Sequence, residues 1–245
     1  MDRNRRMAAG RLACFVLMLV ASSMLVACQT PNPVLRKHGM EAYRVGDIEY
    51  ADERFSTAVE QDPTDWKSQW YLGRVRLSQN RDAQAESRLL QAYALRSEHA
   101  ETPQIIDDLA EALVRQGKND QLADLLGQSA TRYATVHDYL RQGKYLARAG
   151  DIDSAKVAYL KAIRFAKADD AEPYIEYANF LEDVGDSEGA LYRLRQAYGI
   201  DPENIRLANR FRRYGIVPGP TISLPRDPKE TGDSVADGVD ESIAG

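Results

Sequence analysis

The chain has 245 residues, 44% hydrophobic and 28% charged, with a formal charge of −5 and two cysteines. That is the composition of a soluble globular protein with room for one large domain or two small ones. An acidic balance argues against a nucleic-acid backbone or an anionic bilayer surface as the main ligand.

The N-terminal stretch differs in composition from the rest. Arg3, Arg5, Arg6 and Arg11 form a basic head, Leu12 to Leu25 is an apolar run, and the segment closes on Leu25-Val26-Ala27-Cys28. A positive start, a short apolar core and a small-residue end describe an export signal over residues 1–27, and the run is short for a transmembrane helix. The closing four residues resemble the lipobox of bacterial lipoproteins, which implies cleavage before Cys28 and a diacylglycerol on its sulfur. Arg5-Arg6 is not followed by the residues of a twin-arginine signal. Removal of 1–27 takes four basic residues and Asp2, leaving 28 basic against 36 acidic residues and a charge of −8. It also takes Cys14, so Cys28 is the one remaining thiol and no internal disulfide forms. Two or three acyl chains, at about 0.8 kcal/mol per buried methylene, hold a protein to a membrane where one does not. Residues 28–31 then link the anchor to the rest of the chain.

From residue 32 the chain repeats itself. "GDIEYADERFSTAV" (Gly46–Val59) and "GDIDSAKVAYLKAI" (Gly150–Ile163) share Gly-Asp-Ile, a small residue (Ala51, Ala155), an aromatic (Phe55, Tyr159) and a second Ala (Ala58, Ala162). The first small position recurs at Ala51, Ala85, Leu122, Ala155 and Ala190, at gaps of 34, 37, 33 and 35. The aromatic's place holds Leu89, Leu126 and Leu194 in the other copies, and the last place Ala92, Ser129 and Ala197. Residues spaced i, i+4, i+7 share one helical face. Gly46, Gly117, Gly150 and Gly185 stand where a first helix must stop, which favours tolerance of positive φ. Asn80 takes that place in the second copy, and Ser97 replaces its final Pro. Asp47, Asp151 and Asp186 are placed to cap second helices, and Asp62-Pro63 and Asp201-Pro202 to end them.

A period near 34 with these landmarks resembles the tetratricopeptide repeat, a helix-turn-helix unit. The resemblance implies an all-α fold, a right-handed superhelical solenoid of about five repeats over 32–216, because one helix pair cannot bury its apolar stripe alone. The stretch Glu203–Gly215 reads as a capping helix, with Ile205, Leu207, Ala208, Phe211 and Tyr214 covering the last pair and its basic residues facing water. Residues 217–245, with four prolines from Pro218 onward and six acids against Arg226 and Lys229, read as a disordered acidic tail. Its apolar start, "IVPGPTISLP", is either an extended docking segment or packs along the solenoid's own end.

No catalytic constellation stands out. His38, His99 and His137 lack metal-ligand spacing, and there is no phosphate loop, Gly-x-Ser-x-Gly elbow or nucleophilic Cys. Asp107-Asp108 and Asp169-Asp170 are adjacent in sequence and do not face each other on a helix. No enzyme activity, metal or cofactor is expected.

In proteins that this chain resembles, the first helix of each pair lines a concave groove. The matching places are Arg36, Met40 and Tyr43; Lys67, Trp70, Arg74 and Leu77; Asp107 and Glu111; Leu140 and Lys144; Ile175 and Asn179. Arg36, Tyr43, Lys67, Trp70, Arg74 and Lys144 are the candidate partner-binding residues, since Arg and Trp often anchor interfaces. Trp70 either faces the groove or packs between repeats. The carboxylate clamp of chaperone-binding members is absent, its places holding Arg36, Met40, Tyr71, Gln104 and Asp108.

Lipobox and array together resemble the assembly lipoproteins of bacterial pilus and secretion systems, including type IV and tight-adherence pili. The expectation is a non-enzymatic, lipid-anchored scaffold of the cell envelope that binds envelope proteins or peptides and no nucleic acid. Gln29 after the lipidated Cys is compatible with an outer-membrane location facing the periplasm in a two-membrane organism. The alternatives are an accessory lipoprotein of outer-membrane barrel assembly and a part of a polysaccharide or peptidoglycan system.

Overall fold

The computed structural model describes residues 30–96 and 102–227. The expected export signal, Cys28, His99 and the tail beyond Asp227 lie outside the described residues. Eleven α-helices and no strand occur among the described residues: α1 (Asn32–Val45), α2 (Ile48–Gln61), α3 (Trp66–Ser78), α4 (Asp82–Leu95), α5 (Thr102–Arg115), α6 (Asn119–Tyr133), α7 (Val136–Arg148), α8 (Ile152–Phe165), α9 (Glu172–Asp183), α10 (Ser187–Ile200) and α11 (Ile205–Arg213). The chain divides into two compact units between Arg81 and Asp82.

In the first unit, α1 stops at Gly46 (φ 84°), and the Asp47 carboxylate accepts the Tyr50 amide at 3.1 Å to start α2. That one turn folds α2 back onto α1. Ala42, Ala51, Phe55, Val59, Leu72 and Val75 form the core, with Tyr43, Ile48 and Tyr71 against it. Large apolar side chains buried this way contribute about 1.5–3 kcal/mol each. α2 ends at Asp62, before Pro63, and Asp65 caps α3. Asn80, where the second copy lacks its glycine, adopts the same left-handed conformation (φ 57°). Asparagine tolerates that region better than other residues with a Cβ.

In the second unit each helix packs on the next, and α5, α7 and α9 also touch in succession. Gly117, Gly150 and Gly185 end α5, α7 and α9 at φ 67°, 86° and 85°. Asp151 and Asp186 cap α8 and α10 by accepting the Ser154 and Gly189 amides at 3.1 and 2.8 Å. The weakest copy in sequence forms a full helix, α6, with Leu122, Leu126 and Ser129 buried. Ser129 has a reason to replace alanine: its hydroxyl lies 3.4 Å from Asp138 Oδ1 across the turn to α7.

The cap is α11, with two departures from expectation. Leu207 and Phe211 are buried, whereas Ile205 is 74% exposed and covers nothing. Arg210 does not face water: it pairs with Glu182 Oε2 of α9 at 2.9 Å and donates to Asn179 Oδ1 at 2.7 Å. The tail is also corrected. Residues 217–227, read as the start of a disordered segment, form a strap along α10. Leu224 donates its amide to the Arg195 carbonyl at 3.1 Å, Arg195 Nε donates to the Ile222 carbonyl at 2.7 Å, and buried Gln196 donates to the Pro225 carbonyl and to Asp227 at 3.0 and 2.9 Å. Of the two readings of the apolar start, packing along the solenoid's own end is the one found, with backbone groups of the strap bonded by side chains and by the Arg195 carbonyl of α10.

Candidate functional site

Side chains of first helices meet in two places, one in each unit. In the first unit the expected groove residues are engaged with their own neighbours. Arg36 Nη1 lies 2.5 Å from Asp65 Oδ2, the carboxylate that also accepts Ser68 Oγ at 2.7 Å at the start of α3. Arg36 thus anchors a helix N-terminus. Trp70 is 8% exposed; its ring lies 5.2 Å from Tyr71 and stacks at 6.2 Å on Trp66. That makes it a packing residue rather than an open anchor. Tyr43 meets Tyr71 edge-on at 6.3 Å, and the Arg74 guanidinium lies 5.2–5.7 Å from the rings of Tyr43, Trp70 and Tyr71. Lys67 stands 5.2 Å over Trp66. Cation–aromatic contacts of this kind hold Arg74 and Lys67 against the ring cluster. Met40 is exposed and Leu77 is buried.

In the second unit a cavity of about 680 Å³ opens between α5, α7 and α9. Three of the expected groove residues line it: Asp107, Leu140 and Lys144. Arg141, Asp138, His137, Tyr159, Glu172 and Glu176 line it as well and were missed by sequence reasoning. The miss is one of phase. On α9 the groove face holds Glu176, one residue on from Ile175, and a step of one residue turns about 100° around a helix; on α7 Arg141 joins the expected Leu140 and Lys144. The signal was present in the charge pattern, since His137, Arg141 and Lys144 share a face of α7. Glu111 and Asn179 do not line the cavity. Arg148 and Arg115 hold Glu111, and Asn179 is bonded to Arg210.

The cavity's floor is a closed ion network. Arg141, with a 9% exposed side chain, donates to Asp107 Oδ1 at 3.1 Å and to Asp138 Oδ1 at 2.7 Å. Asp138 also accepts the Thr135 hydroxyl at 2.5 Å in a capping box at the start of α7. Buried charges persist when paired and hydrogen-bonded in this manner, so the charge of Arg141 is consumed within the fold. Tyr159 is 5% exposed, with its ring stacked on Tyr177 at 5.5 Å and tilted against Phe180 at 5.1 Å. Burial, then the nearby carboxylates of Glu176 and Asp183, push its phenol up. No group of His, Cys, Asp and Glu among the described residues is arranged to hold a metal ion. The arrangement offers recognition: apolar walls from Leu140 and Pro103, a phenol, and carboxylates at the rim.

No family model and no curated protein matches the chain. Solved structures do. A protein of Thermus thermophilus described as a thermophilic TPR protein, TTC0263, superposes with a TM-score of 0.50 at 18% identity, covering 75% of this chain and 98% of its own. A MamA protein superposes at 0.54 and 17% identity, covering 77% and 98%, and MamA of Desulfovibrio magneticus at 0.53 and 13%, covering 73% and 99%. At such identities the likeness is one of fold, and the fold is the tetratricopeptide-repeat array.

Proposed function

We propose that this chain is a non-enzymatic interaction scaffold that takes an extended segment of a partner protein into the cavity between α5, α7 and α9. The observation that supports this reading is the cavity itself: about 680 Å³, open, and lined by side chains of three successive first helices. A groove with apolar walls and a few convergent polar groups is the usual form of a recognition site. We further propose that Cys28 carries a lipid anchor, which places the array at the face of an envelope membrane. The pairing of lipobox and repeat array favours a role in assembling an envelope machine such as a type IV or tight-adherence pilus or a secretion system.

In-cell crosslinking and pull-down of the full-length protein beside a Cys28→Ser variant, with captured proteins read by mass spectrometry, tests both parts. Recovery of pilus or secretion subunits that falls in the variant supports the assembly role. Recovery of glycan-handling enzymes, or equal recovery with and without the thiol, overturns the assembly role or the anchor respectively.

A further inference from the structure

We propose that the cavity between α5, α7 and α9 selects a cationic side chain, an arginine or lysine of the bound segment, and holds it between Glu172 and Glu176 with Tyr159 beneath. This rests on the groove reading above and adds the chemistry of what enters it.

The cavity carries four carboxylates (Asp107, Asp138, Glu172, Glu176) against two cations (Arg141, Lys144). Asp107 and Asp138 are occupied by Arg141. Lys144, which is exposed, keeps its ammonium over the Tyr145 ring at 5.0 Å. Two carboxylates are left without a cation. Glu172 and Glu176 stand one turn apart on α9, where like charges repel unless something positive comes between them. Among the described residues Glu172 has no hydrogen bond or ion pair through its carboxylate, and Glu176 accepts only Asn179 Nδ2 at 3.3 Å.

Tyr159 supplies an independent sign. Its ring is more than nine-tenths buried, it lines the cavity, and its hydroxyl has no hydrogen-bond partner among the described residues. The hydroxyl is not sealed in the core with the ring: it remains accessible on the cavity side. Beside the Glu172–Glu176 pair, it is available to a ligand group that enters from the open side. Leu140 and Pro103 offer apolar surface for the methylene stem of a long cationic side chain, which packs its stem and presents its charge. A guanidinium or ammonium between two carboxylates makes charge-assisted hydrogen bonds, the stronger kind. An acidic side chain in the same place would face uncompensated repulsion, which discriminates against it.

The test is fluorescence anisotropy of the full chain with fluorescein-labelled nonapeptide pools, random on both sides of a fixed central Arg, Lys, norleucine or Glu. The Arg and Lys pools are expected to bind about tenfold more tightly than the norleucine pool, and the Glu pool most weakly. A Glu172→Gln/Glu176→Gln variant, whose changes are isosteric and exposed, should lose that preference while keeping its circular dichroism and melting midpoint. Tyr159→Phe, which keeps the ring, should weaken the Arg pool and leave the norleucine pool unchanged. Equal binding of all pools, or an undiminished preference in the double variant, overturns the cation pocket and leaves the groove standing. Binding of no pool overturns the groove along with it.

Discussion

A Cβ at position 143 would lie 2.8 Å from Cε2 of Tyr159, so Gly143 of α7 and the Tyr159 ring of α8 are pressed directly together. The first unit uses the same device: a Cβ at position 39 would lie 2.9 Å from the Phe55 ring. Where the first helix carries Ala110 or Ala178, the aromatic's place holds Leu126 or Leu194.

Gly143→Ala is expected to destabilise the chain, although alanine favours a helix interior by about 1 kcal/mol over glycine. The Tyr159 ring is hemmed in by Tyr177 and Phe180, which pack against it, and overpacking costs about 1–3 kcal/mol. Thermal melting followed by circular dichroism should show a lower midpoint, partly restored by Tyr159→Leu in the same chain. A higher midpoint for Gly143→Ala alone would show that the ring moves freely.

Trp70→Ala should behave as a core truncation. A buried indole packed on Trp66 and Tyr71 is lost at about 3–5 kcal/mol, which lowers the midpoint by several degrees. An unchanged midpoint would return Trp70 to the groove.

Gly199→Ala tests the strap. The added Cβ would meet the Leu224 carbonyl oxygen at 2.6 Å, and that atom is backbone, so the strap must lift. Position 199 is otherwise exposed on α10, where alanine favours the helix. The outcome to look for is faster tryptic cleavage after Arg226, whose guanidinium is released from the Tyr174 hydroxyl and the Ala166 carbonyl, each 3.2 Å away. Cleavage at the parental rate would mean that the strap does not depend on that contact.

Acid stability depends in part on Glu111. Hydrogen bonding from Arg148, with a further bond from Arg115 and against the pull of burial, holds its carboxyl at about 2 instead of 4.5. A lowered folded value means stability that is complete above pH 4.5 and lost as the pH falls toward about 2. Glu111→Gln removes that dependence. Comparing midpoints at neutral and acid pH, the variant should lose less on acidification than the parent, by a few degrees at most, because solvent screens the pair. Parallel acid limbs for the two chains would count against this.

The helix pairs were legible because their landmarks answer local needs. Gly46, Gly150 and Gly185 supply positive φ, Asp47, Asp151 and Asp186 accept amides three residues on, and Asp62 and Asp201 precede a proline. The face of each second helix followed from i, i+4, i+7 spacing, and Ala51, Phe55, Ala155 and Tyr159 are all buried. The groove was legible only to within a residue. A first helix is covered on several sides, so its charges do not announce which of them turns toward open space. Arg36 and Trp70 have the right type for a partner site and are spent on Asp65 and on neighbouring rings.

By itself the sequence determined the repeat, the turns and the buried stripe, since each depends on residues within one helix-turn-helix unit. Only the tertiary structure decided that Arg141 also pairs with Asp107 of α5, that among the described residues no cation from another helix reaches Glu172 and Glu176, and that residues 217–227 lie on α10. Those outcomes depend on charges and carbonyls brought together from separate helices, and electrostatic pairing is set by distance in space, which helical periodicity does not encode.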